Sequence, residues 1–197
     1  MNLFRPILPI FAFTFLSLLC ISSASGQTAP NTRPDPNYQA VLHVILGSYD
    51  ADQGAALPKS LSGISSQLRS NFSFTNYKLV NTYLGRIADT GTLEYKSMAN
   101  IYGQEQESET PSFLDWRLGG FRRVDNTPGR GVFQVQSFRF GARVPLKMQT
   151  SVNYESLGLS LDKLSVSENS PTLIGTLSLP RTTGTVFLVL TVKSLEN

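Results

Sequence analysis

The sequence is poor in the residue types from which most active sites and metal centres are built. Its 197 residues include one histidine and one cysteine. Zinc sites and nucleophile–base pairs draw on several such side chains, so they are difficult to assemble here. Charged residues make up 16% of the chain, below the ~25% of an average domain, which argues against a coiled coil. Hydrophobic residues make up 41%, enough for a core, and a net charge of +3 is too small to indicate nucleic-acid binding.

The first 26 residues have the composition of a secretory signal peptide. A basic start with Arg5 precedes an apolar run over residues 10–21, and small residues follow at Ala24-Ser25-Gly26. The apolar run is shorter than the ~20 residues that a membrane anchor needs. A lipoprotein would need a small residue before Cys20, and that position is Leu19. We therefore expect cleavage near Gly26, which would leave a cysteine-free periplasmic or secreted chain with no transmembrane span.

The rest of the chain is expected to form a flexible lead-in over residues 27–37 and a single globular β-rich domain over residues 38–197. One amphipathic helix over about 57–71 is predicted, because apolar residues recur there at helical spacing. Residues 40–46 are apolar on both strand faces, and 186–192 is a long β-branched run, so both predict central strands. The stripe of the helix comprises Leu57, Leu61, Ile64, Leu68 and Phe72.

Turn residues divide the remaining chain into short apolar segments that predict further strands. Residues 77–88 and 92–102 are expected to form a hairpin around the turn at 89–91. Breaks are expected at Gly119-Gly120 and at Gly158. The predicted fold class is α+β and β-rich, an antiparallel sheet or sandwich with the helix packed on it. The later strands are predicted at 112–118, 121–124, 132–144, 150–155, 159–166, 172–179 and 185–195.

Three polar motifs are better explained by structure than by chemistry. His43 lies in an apolar strand and is interpreted as a partly buried residue with one hydrogen bond, although a catalytic pair is conceivable. The segment 50–54 begins like a calcium loop, but Leu61 occupies the position that needs a bidentate glutamate, which favours a turn. Three glutamates alternate between the predicted strands, and they are Glu105, Glu107 and Glu109. Their carboxylates could bind a cation, but a solvated loop is the simpler interpretation.

The most concentrated charge lies in residues 115–147, where seven basic residues accompany two acidic ones. Aromatic residues are interleaved with the arginines, a composition that suits phosphate or carboxylate partners. In a regular strand over 132–144, Arg139 and Arg143 would share a face with Phe133 and Val135. The alternative interpretation is the solvated polar face of a half-buried sheet. The candidate anion-binding or partner-binding residues are Arg122, Arg123, Arg130, Arg139 and Arg143.

Three segments of the sequence are considered together. The first is Leu57-Pro58-Lys59-Ser60-Leu61 leading to Tyr77-Lys78-Leu79, the second is Phe138–Pro145, and the third is Leu173–Thr176 with Val186–Lys193. Together they resemble small secreted bacterial proteins of unknown function, over residues 38–195. The last segment is also weakly similar to the β-hairpins of secretins, the outer-membrane secretion channels, in which an aliphatic-Gly pair precedes an apolar strand. The chain lacks the long pore region of a secretin. The resemblance implies an exported globular protein and no particular mechanism.

These features favour an exported, non-catalytic binding or assembly module of the bacterial envelope, with no cofactor and no metal. The expected partner is an envelope protein or an anionic envelope polymer, and the export signal argues against nucleic acid. The alternative is a carboxylate-dependent hydrolase that acts on envelope polysaccharide. That chemistry needs two carboxylates placed across a cleft, and the sequence does not select a pair.

Overall fold

The computed structural model describes residues 37–49, 56–99, 101–102, 110–125, 131–148, 151–180 and 183–195. The predicted signal peptide, most of the lead-in, the segment 50–54 and the carboxylates at 105–109 lie outside these residues. In the described part of the chain, the elements are β1 Asn37–Ser48, a 3₁₀ turn Lys59–Leu61, α1 Ser62–Asn71, β2 Asn76–Ala88, β3 Thr92–Ala99, β4 Ser112–Arg123, β5 Val132–Lys147, β6 Val152–Ser167, β7 Thr172–Ser178 and β8 Thr185–Ser194.

The strands form two four-stranded antiparallel sheets that share one core. The first sheet has the order β2-β1-β8-β7, and the second sheet has the order β3-β4-β5-β6. Buried residues of both sheets pack in one apolar cluster, which includes Leu42 and Leu188 from the first sheet and Trp116 and Phe138 from the second. The predicted β-rich α+β class is confirmed, in its sandwich form.

The helix covers part of the outer face of the first sheet. Leu61, Ile64 and Leu68 are buried there against Ile45 and Phe187, as the apolar stripe predicts. The first predicted turn is a 3₁₀ turn that follows Pro58, and α1 continues from it. No side chain caps the start of α1, and its many serines lower its intrinsic stability, so packing holds the helix.

The two strands predicted to be central lie at the middle of the first sheet. Strand β1 pairs with β2 on one side and with β8 on the other. In β8, residues 186–192 are all buried, because the shared core covers one face and neighbouring residues of the first sheet and helix cover much of the other. Apolar residues on both faces of a strand therefore indicated its position correctly.

The predicted hairpin of residues 77–88 and 92–102 is wrong, because β2 and β3 belong to different sheets. The turn between them passes from one layer of the sandwich to the other and is bound by β4. The N–H of Thr90 donates to the carbonyl of Phe121, 2.6 Å away, and the N–H of Phe121 donates to Gly91 at 3.4 Å. A short turn between two alternating segments is compatible with a hairpin and with such a corner, so local pattern does not separate them.

The predicted breaks at Gly119-Gly120 and at Gly158 are also wrong, since β4 and β6 are continuous. A kink crosses the second sheet instead. Gly120 and Lys163 have φ angles of 62° and 58°, and the register places Gln136 between them on β5. At this row each strand adds one outward-facing residue. Inward-facing positions therefore step by three residues rather than two, from Leu118 to Phe121, Phe138 to Val135 and Leu161 to Leu164.

The kink corrects the predicted face of β5. Phe133 and Val135 are buried in the shared core, together with Phe138 on the far side of the kink. Arg139 and Arg143 are exposed on the outer face, so they do not share a face with Phe133 and Val135. The prediction assumed regular alternation through Gln136, which the kink interrupts.

Candidate functional site

The outer face of the second sheet carries four exposed arginines on its two central strands. Two of the predicted candidates on β5 and one on β4 lie there, and a fourth arginine on β4 joins them. No ion pair involves any of them within the described ranges, where the two ion pairs are Lys96–Glu94 and Arg123–Glu168. We call this surface the arginine face; its arginines are Arg117, Arg122, Arg139 and Arg143.

Arg117 and Arg139 lie directly opposite each other on β4 and β5. Like charges at opposite positions of an antiparallel pair destabilise a sheet, so this arrangement works against folding. The partner of Arg117 on β3 is Glu94, whose carboxylate forms an ion pair with Lys96 at 3.0 Å. Its hydrogen bond with Lys96, more than the charge of Arg117, lowers the pKa of Glu94. The two guanidinium groups thus form the most concentrated positive charge on the arginine face.

Arg143 is held at one end of the arginine face by an aromatic ring. Its guanidinium carbon lies 5.0 Å from the ring centroid of Phe113, its partner across the β4–β5 ladder. The ring of Phe113 in turn packs against Tyr154, with centroids 5.7 Å apart. An open surface groove of about 780 Å³ lies beside this cluster and is lined in part by Lys96, Met98 and Arg143. The cation–π contact positions the guanidinium without neutralising it.

Arg122 is held at the other end by an amide. The Oε1 atom of Gln134 accepts hydrogen bonds from Nε and Nη2 of Arg122, at 3.1 and 2.6 Å. Gln134 is the partner of Arg122 across the ladder. An amide oxygen carries no net charge, so Arg122 keeps its full positive charge in a defined position.

Arg123 was predicted as a binding residue, and the structure places it apart from the arginine face. Its side chain pairs with Glu168, with Nη2 and Oε2 3.1 Å apart. The same carboxylate accepts hydrogen bonds from the N–H of Gly131, at 3.1 Å, and from the Ser194 hydroxyl. The Ser194 hydroxyl contributes most to the lowered pKa of Glu168, Gly131 and Arg123 contribute further, and burial opposes them. This network joins β4 of the second sheet to β8 of the first, so Arg123 binds within the protein.

Arg130 lies outside the described residues. Arg117, by contrast, belongs to the arginine face and was not among the predicted candidates. Its alternation with Asp115 in an apolar strand was a signal that it faces solvent. Only the register shows that it lies opposite Arg139, because that pairing joins residues 22 positions apart.

Of the remaining polar candidates the structure describes His43, since the segment 50–54 and the carboxylates at 105–109 lie outside the described residues. The Nδ1 of His43 shares a hydrogen bond with the Thr82 hydroxyl, at 3.1 Å, which confirms the predicted strand histidine with one hydrogen bond. Burial lowers the pKa of His43, and Lys193 lowers it further. Among the described residues, no group of His, Cys, Asp and Glu could hold a metal ion. The lowered pKa values of Glu94 and Glu168 keep both carboxyl groups ionised, the opposite of what a general acid needs.

Comparisons with known proteins give weak structural likenesses to secretins. No protein-family model and no curated protein matches the sequence. The chain is weakly similar to the type IV competence pilus secretin PilQ of V. cholerae, at 9% identity and a TM-score of 0.35 over 83% of this chain and 58% of that one. It is similar to the Salmonella SPI-1 type III secretion injectisome secretin InvG, at 10% identity and a TM-score of 0.34 over 83% of this chain and 61% of that one. The chain thus spans less than two thirds of either secretin structure, and no helix among its described residues is long and apolar enough to cross a membrane.

Proposed function

We propose that this protein is an exported, non-catalytic binding or assembly module of the bacterial envelope, and that the arginine face binds an anionic partner. The observation that carries the proposal is the set of four exposed arginines on one sheet face, without an ion pair in the described residues. The signal-peptide composition of residues 1–26 supports an envelope location.

The placement of the charges supports binding rather than solubility alone. Asp115 and Asp162 are also exposed on this face, yet neither forms an ion pair with the arginines in the described residues. Here Arg117 faces Arg139 across the ladder, at a cost to the sheet. Arg122 and Arg143 are each held by a neutral partner, Gln134 and Phe113. An incoming phosphate or carboxylate would relieve the repulsion and would form charge-assisted hydrogen bonds with guanidinium groups that are already in place.

The test is binding of the purified protein to anionic envelope polymer and to phosphatidylglycerol vesicles over a salt series. Binding should weaken as salt rises, because exposed charges are screened beyond ~8 Å at physiological ionic strength. The double variant Arg139→Gln/Arg143→Gln should bind more weakly and keep the far-ultraviolet circular dichroism of the parent.

A matched control is available on the first sheet. Arg86 and Lys193 are exposed and both lie beside Gln39 in the sheet register. The variant Arg86→Gln/Lys193→Gln removes the same charge as the test variant and should bind like the parent. If the two variants weaken binding equally, net charge rather than the arginine face is responsible. Binding that ignores both salt and Arg139→Gln/Arg143→Gln would overturn the proposal.

A further inference from the structure

We infer that the ligand of the arginine face is an extended polyanion that lies along β4 and β5 and is held at three successive stations. This inference rests on the proposed function and adds the class of ligand and its orientation. Each station is one row across the second sheet, in which arginine on β4 or β5 is followed by an exposed serine on β6. The stations are Arg143 with Ser156, Arg117 and Arg139 with Ser160, and Arg122 with Ser165.

The strand register places a hydroxyl in every arginine row. Ser156 is the partner of Arg143, and Ser160 is the partner of Arg139. In the third row Arg122 pairs with Gln134, and Gln134 pairs with Ser165. A guanidinium fork and a hydroxyl donor together match the oxygens of one phosphate, carboxylate or sulfate group. The repetition of this pair matches a ligand that repeats its anionic group.

The stations lie in line along the strands. Phe113, which faces Arg143, is four residues from Arg117, and Arg117 is five residues from Arg122. At a rise of about 3.3 Å per residue, the stations are separated by roughly 13 and 16 Å, and together they span roughly 30 Å. A single small anion reaches one station, whereas an extended polymer reaches all three. Binding at linked stations raises affinity because the later contacts are intramolecular.

The row between the first two stations has no side chain of its own on β5 or β6. Gly141 and Gly158 face each other on β5 and β6 in that row. The carboxylate of Asp115 lies over Gly141, where an added Cβ would approach Oδ1 to 2.6 Å. Asp115 separates the positive charge of the first station from that of the second. The four arginines therefore form three separate positive stations rather than one continuous patch, with Asp115 between the first two stations and Asp162 in a row between the last two.

The experiment measures the affinity of the full chain for oligo-L-glutamates of three, six, nine and twelve residues at low salt. An extended oligomer covers about 3.3 Å per residue, so about nine residues reach all three stations. Affinity should rise steeply from three to nine residues and change little from nine to twelve. The single variants Arg122→Gln and Arg143→Gln should each weaken binding of the twelve-residue oligomer by about two- to fivefold, a typical value for one exposed ion pair.

Shorter oligomers provide the control within the same protein. A six-residue oligomer reaches two stations, so Arg122→Gln should change its affinity less than twofold, because the other two stations remain. The double variant Arg122→Gln/Arg143→Gln should lose the dependence on length. Arg86→Gln/Lys193→Gln should behave as the parent at every length.

The outcomes separate this inference from the proposed function. If Arg139→Gln/Arg143→Gln weakens binding but affinity does not depend on oligomer length, the three-station arrangement is wrong and the anion-binding face stands. If affinity depends on length but Arg122→Gln has no effect on the twelve-residue oligomer, the path along β4 is wrong. If neither glutamate oligomers nor vesicles bind in a salt-dependent manner, both proposals fail.

Discussion

The two sheets contribute similar inner faces to one core, and their outer faces differ. The outer face of the first sheet is apolar where the helix covers it, and Ile45 and Phe187 are fully buried there. The outer face of the second sheet has no cover in the described part of the chain, and it carries Arg117 and Arg139. The segment between β1 and β2 supplies the helix that makes this difference. The outer face of the first sheet contributes to stability because the helix buries its apolar side chains. The outer face of the second sheet can carry charged side chains that do not contribute to stability.

The largest expected effect comes from removing apolar volume beneath the helix. Leu68 is fully buried in the cluster between α1 and the first sheet. Leu68→Ala should lower the free energy of unfolding by about 2–5 kcal/mol, because it creates a cavity. Urea denaturation measures the loss, with the exposed Ser66→Ala as the control near zero. Equal losses in the two variants would mean that the helix does not cover the sheet.

The next effect tests the network that joins the two sheets at one end. Glu168→Gln should cost about 1.5–3 kcal/mol, the value of hydrogen bonds to a charged group. The folded-state pKa of Glu168 lies below its ordinary value of 4.5. Its contribution is therefore complete above pH 4.5 and is lost as the pH falls through the lower, folded-state pKa. Urea midpoints measured between pH 7 and 3 should fall less in Glu168→Gln than in the parent; an identical fall would contradict the assignment.

A smaller effect is expected at the kink of the second sheet. Gly120 has a φ of 62°, and an added Cβ would lie 2.6 Å from the side chain of Gln136. Gly120→Ala should cost about 1–2 kcal/mol, because residues with a Cβ are strained in this conformation. Gly63→Ala is the control, because nothing lies within 4 Å of a Cβ added at this exposed position of α1. It should stabilise the protein slightly. Equal behaviour of the two variants would argue against the kink.

The smallest effect sharpens the comparison of the two outer faces. Arg139→Gln/Arg143→Gln should change the free energy of unfolding by no more than about 0.5 kcal/mol, as surface substitutions usually do. Relief of the repulsion between Arg117 and Arg139 favours a slight gain. The same urea titration measures it. A loss of several kcal/mol would show that these arginines serve the fold rather than a ligand.

Local periodicity predicted most elements of the fold. The helix stripe and the central position of β1 and β8 followed from apolar spacing alone. A helix that packs on one side has an apolar residue on that side at every turn, and a central strand covered on both sides has apolar residues on both faces. The continuity of β4 through Gly120 and of β6 through Gly158 was not predicted, since glycine marks a kink or a close approach as readily as a turn. The candidate arginines were found in part, through composition, and Arg123 and Arg117 show where composition is insufficient.

The sequence by itself determined which segments are apolar, which are charged and what period each follows, because these properties depend on near neighbours in the chain. Only the tertiary structure decided that β2 and β3 lie in different sheets, that Arg123 turns inward to Glu168 and that Arg117 meets Arg139. Each of these depends on strand register, and one extra outward-facing residue at the kink reverses which side chains face solvent. Register is set by pairing between residues that are distant in the sequence, so the arginine face exists only in the folded sheet.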